Sequence, residues 1–311
     1  MEKLSWARQI ELAGDASYRR YTRLVTTTGT SVIRVTYPPE RAGALARDCE
    51  VLEWLSARGI RVPLRLQPYE EPGRLYLEDF GERDAEQTLD HSAPASRWLH
   101  ARRLASPLAT LAAISIDDLP PWNPPLGAER LREELAGFEE WFLERFVGTA
   151  PGPGVGDWLD ELAARIGRHP RRVCHRDYHL NNLFFLRGDE VGVIDAQDVL
   201  VGPDTYDAVS LVGERAFPCL MEEGEVRRWL DLWAEKTDAA SGWQHRALEA
   251  GAQRALKVLG TFARLGLNNK PQYRRWMEPL ARRVAPVVRD LAAPPWLVGI
   301  LLDFRLGGSH G

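Results

Sequence analysis

The chain has 311 residues, 44% hydrophobic and 27% charged, which is enough for more than one small core and unlike disordered, collagen-like or disulfide-stapled compositions. Forty Lys and Arg against 44 Asp and Glu leave a formal net charge of −4, so no global basic field points to nucleic acid or an anionic membrane as partner. Three cysteines (Cys49, Cys174, Cys219) with no C-x-x-C pair, no apolar signal region at the start and no stretch near the roughly 18 apolar residues of a membrane span predict a cytoplasmic protein without a membrane partner.

Short β-type runs at 5–12, 21–26 and 31–36 are bounded by Gly, Asp or Thr turn signals. A helix is expected over 40–58, with Leu45, Val51, Leu52 and Leu55 on one face and Gly59 as its stop. Strands resume at 62–67 and 74–78, giving a compact α+β lobe over 1–79. From residue 80 to 311 the pattern is mainly helical, with runs over 95–115, 129–146, 157–168, 206–214, 222–236, 243–267 and 272–292. A β-containing segment interrupts them at 172–195, and the apolar tract 296–302 reads as a packed terminal helix. Two loops rich in breakers lie at 119–127 and 148–156; the second, GTAPGPGVG, is expected to be the most flexible stretch.

The chemistry concentrates in VCHRDYHLNNLFF (173–185) and VGVIDAQD (191–198). Apolar runs flank a polar loop that presents Asp177 and, five residues later, Asn182; a further thirteen residues on, Asp195 ends the apolar strand 191–194. Phosphoryl transfer needs such a set. Magnesium takes hard oxygen ligands, which an Asn carbonyl and an Asp carboxylate supply, and a second carboxylate must orient the incoming hydroxyl and accept its proton late. The spacing H-x-D-x-x-x-x-N with a strand-end Asp matches the kinase template of catalytic base (Asp177) and Mg2+ ligands (Asn182, Asp195); the competing reading is a polar loop of capping residues.

With these motifs and GPDTYDAVSL (202–211), the chain resembles the aminoglycoside phosphotransferase and choline kinase superfamily from about Gly14 to the last helix. The resemblance implies a protein-kinase-like bilobal α+β fold: a small β-rich nucleotide-binding N-lobe (1–79) with one main helix, and a larger, mainly helical C-lobe (80–311). It implies ATP as co-substrate and Mg2+ as cofactor. Asp207 is expected to buttress the catalytic loop or cap the following helix. The turn in GDASYRRYTR (14–23) places Asp15, Ala16, Ser17 and Arg19 at the nucleotide phosphates, although it is neither a Walker A sequence nor G-x-G-x-x-G. The usual strand lysine is missing from Ser31-Val32-Ile33-Arg34-Val35; Arg34 is the candidate substitute, with Asp48 as its helix partner and Glu50 as the competitor. Glu78, Asp79 and Phe80 are expected beside the adenine, where side-chain identity does not distinguish ATP from GTP.

Within the superfamily, DASYRRY, HRDYHLNNL, EELAGFEEWFLERFVG and LKVLGTFARL resemble the anomeric amino-sugar kinases of peptidoglycan recycling. That resemblance implies a kinase acting on the C1 hydroxyl of N-acetylmuramate and N-acetylglucosamine to give the α-1-phosphate. Its substrate contacts would be Glu140, Trp141, Asp177, Gln197, Asp198 and Arg264, with Lys257 pointing to the same subgroup. Trp141 has a second reading, because Phe138, Trp141, Phe142 and Phe146 are also spaced as a core face. His175 and His179 read as structural loop residues, and Cys174 and Cys219 as buried small hydrophobes. Expected partners are an amino sugar and a nucleotide, with no nucleic acid, and the protein is expected to act as a monomer. The alternatives are an aminoglycoside or other small amino-alcohol phosphotransferase, which would need an acidic cleft, and a pseudokinase binding module, suggested by the absent strand lysine.

Overall fold

The computed structural model describes residues 6–12, 18–66, 71–213 and 216–306. In chain order its elements begin with β1 (Trp6–Leu12), β2 (Arg20–Thr26), β3 (Ser31–Thr36), α1 (Ala42–Ala57) and β4 (Arg74–Glu78). Next come α2 (Ala85–Asp90), α3 (Pro94–Ala101), α4 (Ala105–Ala112), α5 (Ala128–Gly137), a π-helix (Phe138–Val147) and α6 (Val155–Gly167). Then β5 (Arg171–Cys174), β6 (Leu183–Phe185), β7 (Val191–Val193) and β8 (Leu200–Pro203) precede α7 (Tyr206–Gly213) and α8 (Phe217–Leu220). The chain closes with α9 (Glu223–Lys236), α10 (Trp243–Leu267), α11 (Met277–Asp290) and α12 (Pro295–Asp303). Among the described residues no helix is long and apolar enough to cross a membrane.

Residues 1–110 with 180–199 form one compact unit, and 111–179 with 200–311 a second. The boundary at 79 marks the change from strand-rich to helix-rich sequence, a criterion distinct from proximity in space. In the first unit, β1 to β4 form an antiparallel sheet in sequence order. The register aligns Tyr21 with Val35 and Leu75, and Arg23 with Ile33 and Leu77. The apolar members of these rows pack against Leu45, Cys49 and Leu52 of α1. The opposite face buries Leu24, Val32 and Tyr76 with Trp6 and Leu66. Helix α1 ends where Gly59 adopts φ 83°, a left-handed turn that glycine enters without a Cβ penalty.

The structure departs from two of the expected elements and adds one helix. Over the described residues 62–66 the expected strand 62–67 does not form; Pro63 has no N–H for a ladder, and the pairing with β4 comprises the Arg65–Leu77 bridge, the Leu66 amide bond to Tyr76 O at 2.8 Å and the Glu78 amide bond to Leu64 O at 2.9 Å. The helix expected over 95–115 is divided by a 3-10 turn at Arg102–Leu104, because Pro107 cannot donate to the carbonyl four residues back. Helix α2 was not read from the sequence; Asp84 caps it by accepting from the Gln87 amide at 2.8 Å.

The second unit is built around α10, whose 25 residues run through a core that includes Leu131, Leu135, Phe138, Phe142, Leu162 and Leu297. The loop expected to be most flexible is pinned to this core. Gly152 lies against the Trp296 ring so closely that a Cβ would overlap it; glycine here permits close approach rather than motion. Cys174 is buried as expected, whereas Cys219, on the one-turn helix α8, is exposed.

At Gly260 an added Cβ would stand 2.5 Å from the carbonyl oxygen of Gly137. The obstacle is backbone, so it cannot rotate away. Gly260→Ala is expected to cost about 1–3 kcal/mol and to lower the melting temperature, whereas Gly299→Ala, with nothing within 4 Å, should not. Equal melting curves would show that α10 and the α5 terminus separate at no cost.

Candidate active site

The loop after β5 carries Asp177, and its backbone is held from below. The amides of His175 and Arg176 donate to Asp207 Oδ2 and Oδ1 at 2.6 and 2.9 Å. Asp207 therefore buttresses the loop. Burial pushes its carboxyl pKa up although both amides and nearby His175 oppose this. The support is needed because Arg176 sits at φ 78°, a conformation that non-glycine residues seldom adopt. Buried Arg254 of α10 adds a second tie, donating to Arg176 O at 3.1 Å and to the Tyr206 hydroxyl at 3.2 Å.

Asp177 itself retains 37% side-chain exposure and stands 3.7 Å from the Arg254 guanidinium. Burial works to raise its pKa, but the charges of Arg254, Lys257, His179 and Arg176 outweigh this and hold the carboxyl below its ordinary value. A half-buried, ionised carboxylate can accept a hydrogen bond from a hydroxyl and later its proton.

Asn182 and Asp195 lie in the first unit, at one end of a two-stranded ribbon. Leu183 of β6 pairs with Val193 of β7, and just beyond that pair the Ile194 amide donates to Asn182 O at 2.9 Å. Asn182 is 8% exposed. Asp195 adopts φ 61°, and its carboxylate accepts from Gln197 Nε2 at 2.8 Å. Among the described residues no three His, Cys, Asp or Glu side chains gather as a metal site. An Asn carbonyl and an Asp carboxylate on residues at one ribbon end are the donor types that suit a magnesium ion taking its remaining ligands from phosphates and water.

Asp15, Ala16 and Ser17 lie outside the described residues. Arg19 is 7% exposed and pairs with Asp48 of α1 at 2.8 Å, and the Tyr37 hydroxyl donates to the same Asp48 oxygen at 2.7 Å. Burial raises the Asp48 pKa against the pull of Tyr37 and Arg19. Tyr21 connects this cluster to the ribbon: burial raises its pKa first and the Asp195 charge second, while Arg19 lowers it. The expectation that Arg34 meets Asp48 is corrected. Arg34 shares its register row with Thr22 and Tyr76, on the sheet face away from α1, and reaches Gln9 and Thr22 at 3.4 Å each. The cation that meets the helix carboxylate comes from the approach to β2.

The three residues at the end of β4 are engaged with protein. Glu78 is bound by Arg61 at 2.5 and 2.8 Å, Asp79 by Arg23 at 2.6 and 3.0 Å, and Phe80 packs on Phe184 with centroids 5.8 Å apart. These side chains brace the segment.

Of the substrate candidates, Gln197 is bonded to Asp195, and Asp198 closes the 3-10 turn Ala196–Asp198. Exposed Glu140 pairs with Arg145 at 2.8 Å, and half-buried Trp141 lies against the main core with the Arg145 guanidinium 4.4 Å from its ring centroid. Arg264 is exposed, two helical turns after Lys257. The charged neighbours of Asp177 include two the sequence reading missed. Glu134 accepts from Lys257 Nζ at 2.8 Å and from Arg176 at 3.2 Å, and Arg254 faces Asp177. Their signal was polar residues interrupting the buried stripes of α5 and α10.

A family model described as the phosphotransferase enzyme family matches residues 8–238. The chain belongs to this family. It is accordingly an ATP-dependent phosphotransferase. This phosphotransferase is 32% identical over 284 residues to the N-acetylmuramate/N-acetylglucosamine kinase of Pseudomonas aeruginosa, covering 86% of this chain and 80% of that protein. It is 29% identical over 297 residues to the protein of the same name from Neisseria meningitidis, covering 90% and 86%. Among solved structures it resembles a choline kinase of Streptococcus pneumoniae (TM-score 0.63, 15% identity, 94% and 95% covered). It also resembles an aminoglycoside-3'-phosphotransferase of type VIII (TM-score 0.58, 19% identity, 80% and 93% covered). The small antiparallel sheet and mostly helical remainder are thus those of the protein-kinase-like α+β fold.

Proposed function

We propose that this phosphotransferase is a cytoplasmic sugar kinase moving the γ-phosphate of ATP to the C1 hydroxyl of N-acetylmuramate or N-acetylglucosamine, with the α-1-phosphate as product. The observation that carries this reading is Asp177: an ionised carboxylate on a buttressed loop, surrounded mainly by cations. Asp177 accepts a hydrogen bond from the acceptor hydroxyl and takes its proton late in transfer. An anomeric hydroxyl is more acidic than an ordinary alcohol and suits a base of low pKa. Asn182 and Asp195 would hold magnesium, which when bound neutralises the charge of the triphosphate. Arg19, positioned by Asp48 and Tyr37, faces the phosphates in this reading, and Glu140, Trp141, Gln197, Asp198 and Arg264 are the acceptor contacts. The two N-acetylmuramate/N-acetylglucosamine kinases similar over most of the chain support the choice of acceptor.

A polycationic aminoglycoside would meet Arg176, Arg254 and Lys257 beside the base, a repulsive arrangement. Phosphorus and proton NMR of reactions with ATP and magnesium should therefore show both sugars converted, with the phosphorus coupled to an α-anomeric proton, and kanamycin unchanged. Phosphorylation of kanamycin with neither sugar converted would overturn the proposal, and nucleotide binding without any turnover would point to a binding module.

A further inference from the structure

Behind the catalytic loop, α5 and α10 bring a compact set of charges together. Glu134 is its centre: Oε1 accepts from Lys257 Nζ at 2.8 Å and Arg176 at 3.2 Å, and Oε2 accepts from Gln253 Nε2 at 3.2 Å. Arg254, one turn before Lys257 on α10, stands 3.7 Å from Asp177. Together with Asp207, which holds the loop amides and feels the charge of Arg254, three cations face three carboxylates.

The members differ in how far they are committed to the protein. Arg254 is 5% exposed along its side chain and donates to Arg176 O and to Tyr206. Glu134 is 10% exposed and accepts three hydrogen bonds. Lys257 keeps 20% exposure, and among the described residues its ammonium makes one hydrogen bond, to Glu134, of the three it can donate. It also acts electrostatically on Asp177, so an acceptor seated on Asp177 comes within its range.

We infer that Lys257, oriented by Glu134, binds an anionic substituent of the acceptor, so that a carboxylate-bearing sugar is preferred over its neutral counterpart. The inference rests on the sugar-kinase reading and names the acceptor within it. N-acetylmuramate differs from N-acetylglucosamine by a lactyl ether at C3, separated from C1 by a single ring carbon, and that ether ends in a carboxylate. With C1 presented to Asp177, this carboxylate can accept from the ammonium hydrogens that Lys257 does not direct at Glu134. Glu134 fixes the ammonium position and keeps Lys257 from pairing with Asp177 itself.

Steady-state kinetics with N-acetylmuramate, its methyl ester and N-acetylglucosamine test this. For the wild-type protein, KM for the acid should be about 10- to 100-fold below that for the ester, the range of one charge-assisted hydrogen bond. Lys257→Gln should reduce the N-acetylmuramate to N-acetylglucosamine ratio of kcat/KM by a similar factor, and Lys257→Arg should restore most of it. Equal KM for acid and ester, or a Lys257→Gln variant that loses both sugars in proportion, overturns the inference while leaving the kinase reading intact. A wild-type protein that phosphorylates neither sugar overturns the kinase reading and the inference with it. Should Lys257→Gln fail to fold, the acid and ester comparison on the wild type decides.

Discussion

Asp177→Asn is expected to lower kcat by about 10³-fold or more while nucleotide affinity stays close to wild type. The substitution preserves shape. The loop remains tied by Asp207 and by Arg254 through Arg176 O, and the His179 amide bonds to the backbone oxygen of residue 177, which the side chain does not affect. What is lost is the negative charge that orients the acceptor hydroxyl and the site that receives its proton. Equal losses in nucleotide affinity and turnover would count against this role. The pH profile gives an independent check. Because the neighbouring cations hold the Asp177 carboxyl below its ordinary pKa, it is ionised throughout the neutral range. For neutral N-acetylglucosamine, kcat/KM should therefore have no limb from this group until pH falls through the lowered pKa. Arg254→Gln removes one stabilising charge, so that acid limb should move to higher pH.

The segment carrying Asp177, Asn182 and Asp195 was legible as a loop between strands because its information is local. Asp177, Asn182 and Asp195 lie within nineteen positions, and the apolar runs around them become β5, β6 and β7. The strands of the sheet were legible for the same reason, since period-two patterning and turn signals mark each one locally, although β3 and β4 pair across the intervening α1. What the sequence concealed depends on contacts far along the chain. Glu134 and Lys257 are 123 positions apart, and no motif links them. The Arg19 and Asp48 pair was misassigned to Arg34 because the reading looked for a cation on β3. Strand alternation places Arg34 on the wrong face once β2, β3 and β4 are in register. The loop at 148–156 misled through its glycines, whose meaning at Gly152 depends on Trp296, more than 140 positions away. Composition reports what a backbone can do, and packing decides which option is used.

Asp195→Asn is expected to abolish most of the magnesium dependence of nucleotide affinity and to lower kcat by about 10²–10³-fold, the scale of removing one electrostatic contact to a developing charge. Asparagine is the informative replacement here. At φ 61° alanine would add backbone strain, whereas asparagine tolerates the left-handed region and its carbonyl can still accept from Gln197 Nε2. The change therefore removes charge with little disturbance of the ribbon end. Calorimetric titration of nucleotide with and without magnesium reads the effect directly, and an Asp195→Asn variant that keeps the full wild-type difference between the two titrations would rule Asp195 out as a ligand. Combining Asp195→Asn with Asn182→Ala sharpens the test. The Ile194 amide bond to Asn182 O brings residues 182 and 195 to one end of the ribbon. If both hold the same ion, the first substitution already forfeits most of what the second could remove, so the double variant should lose far less than the product of the single effects. Independent, multiplicative losses would mean that the two oxygens serve different ligands, and the assignment of Asn182 and Asp195 to a shared magnesium ion would fail.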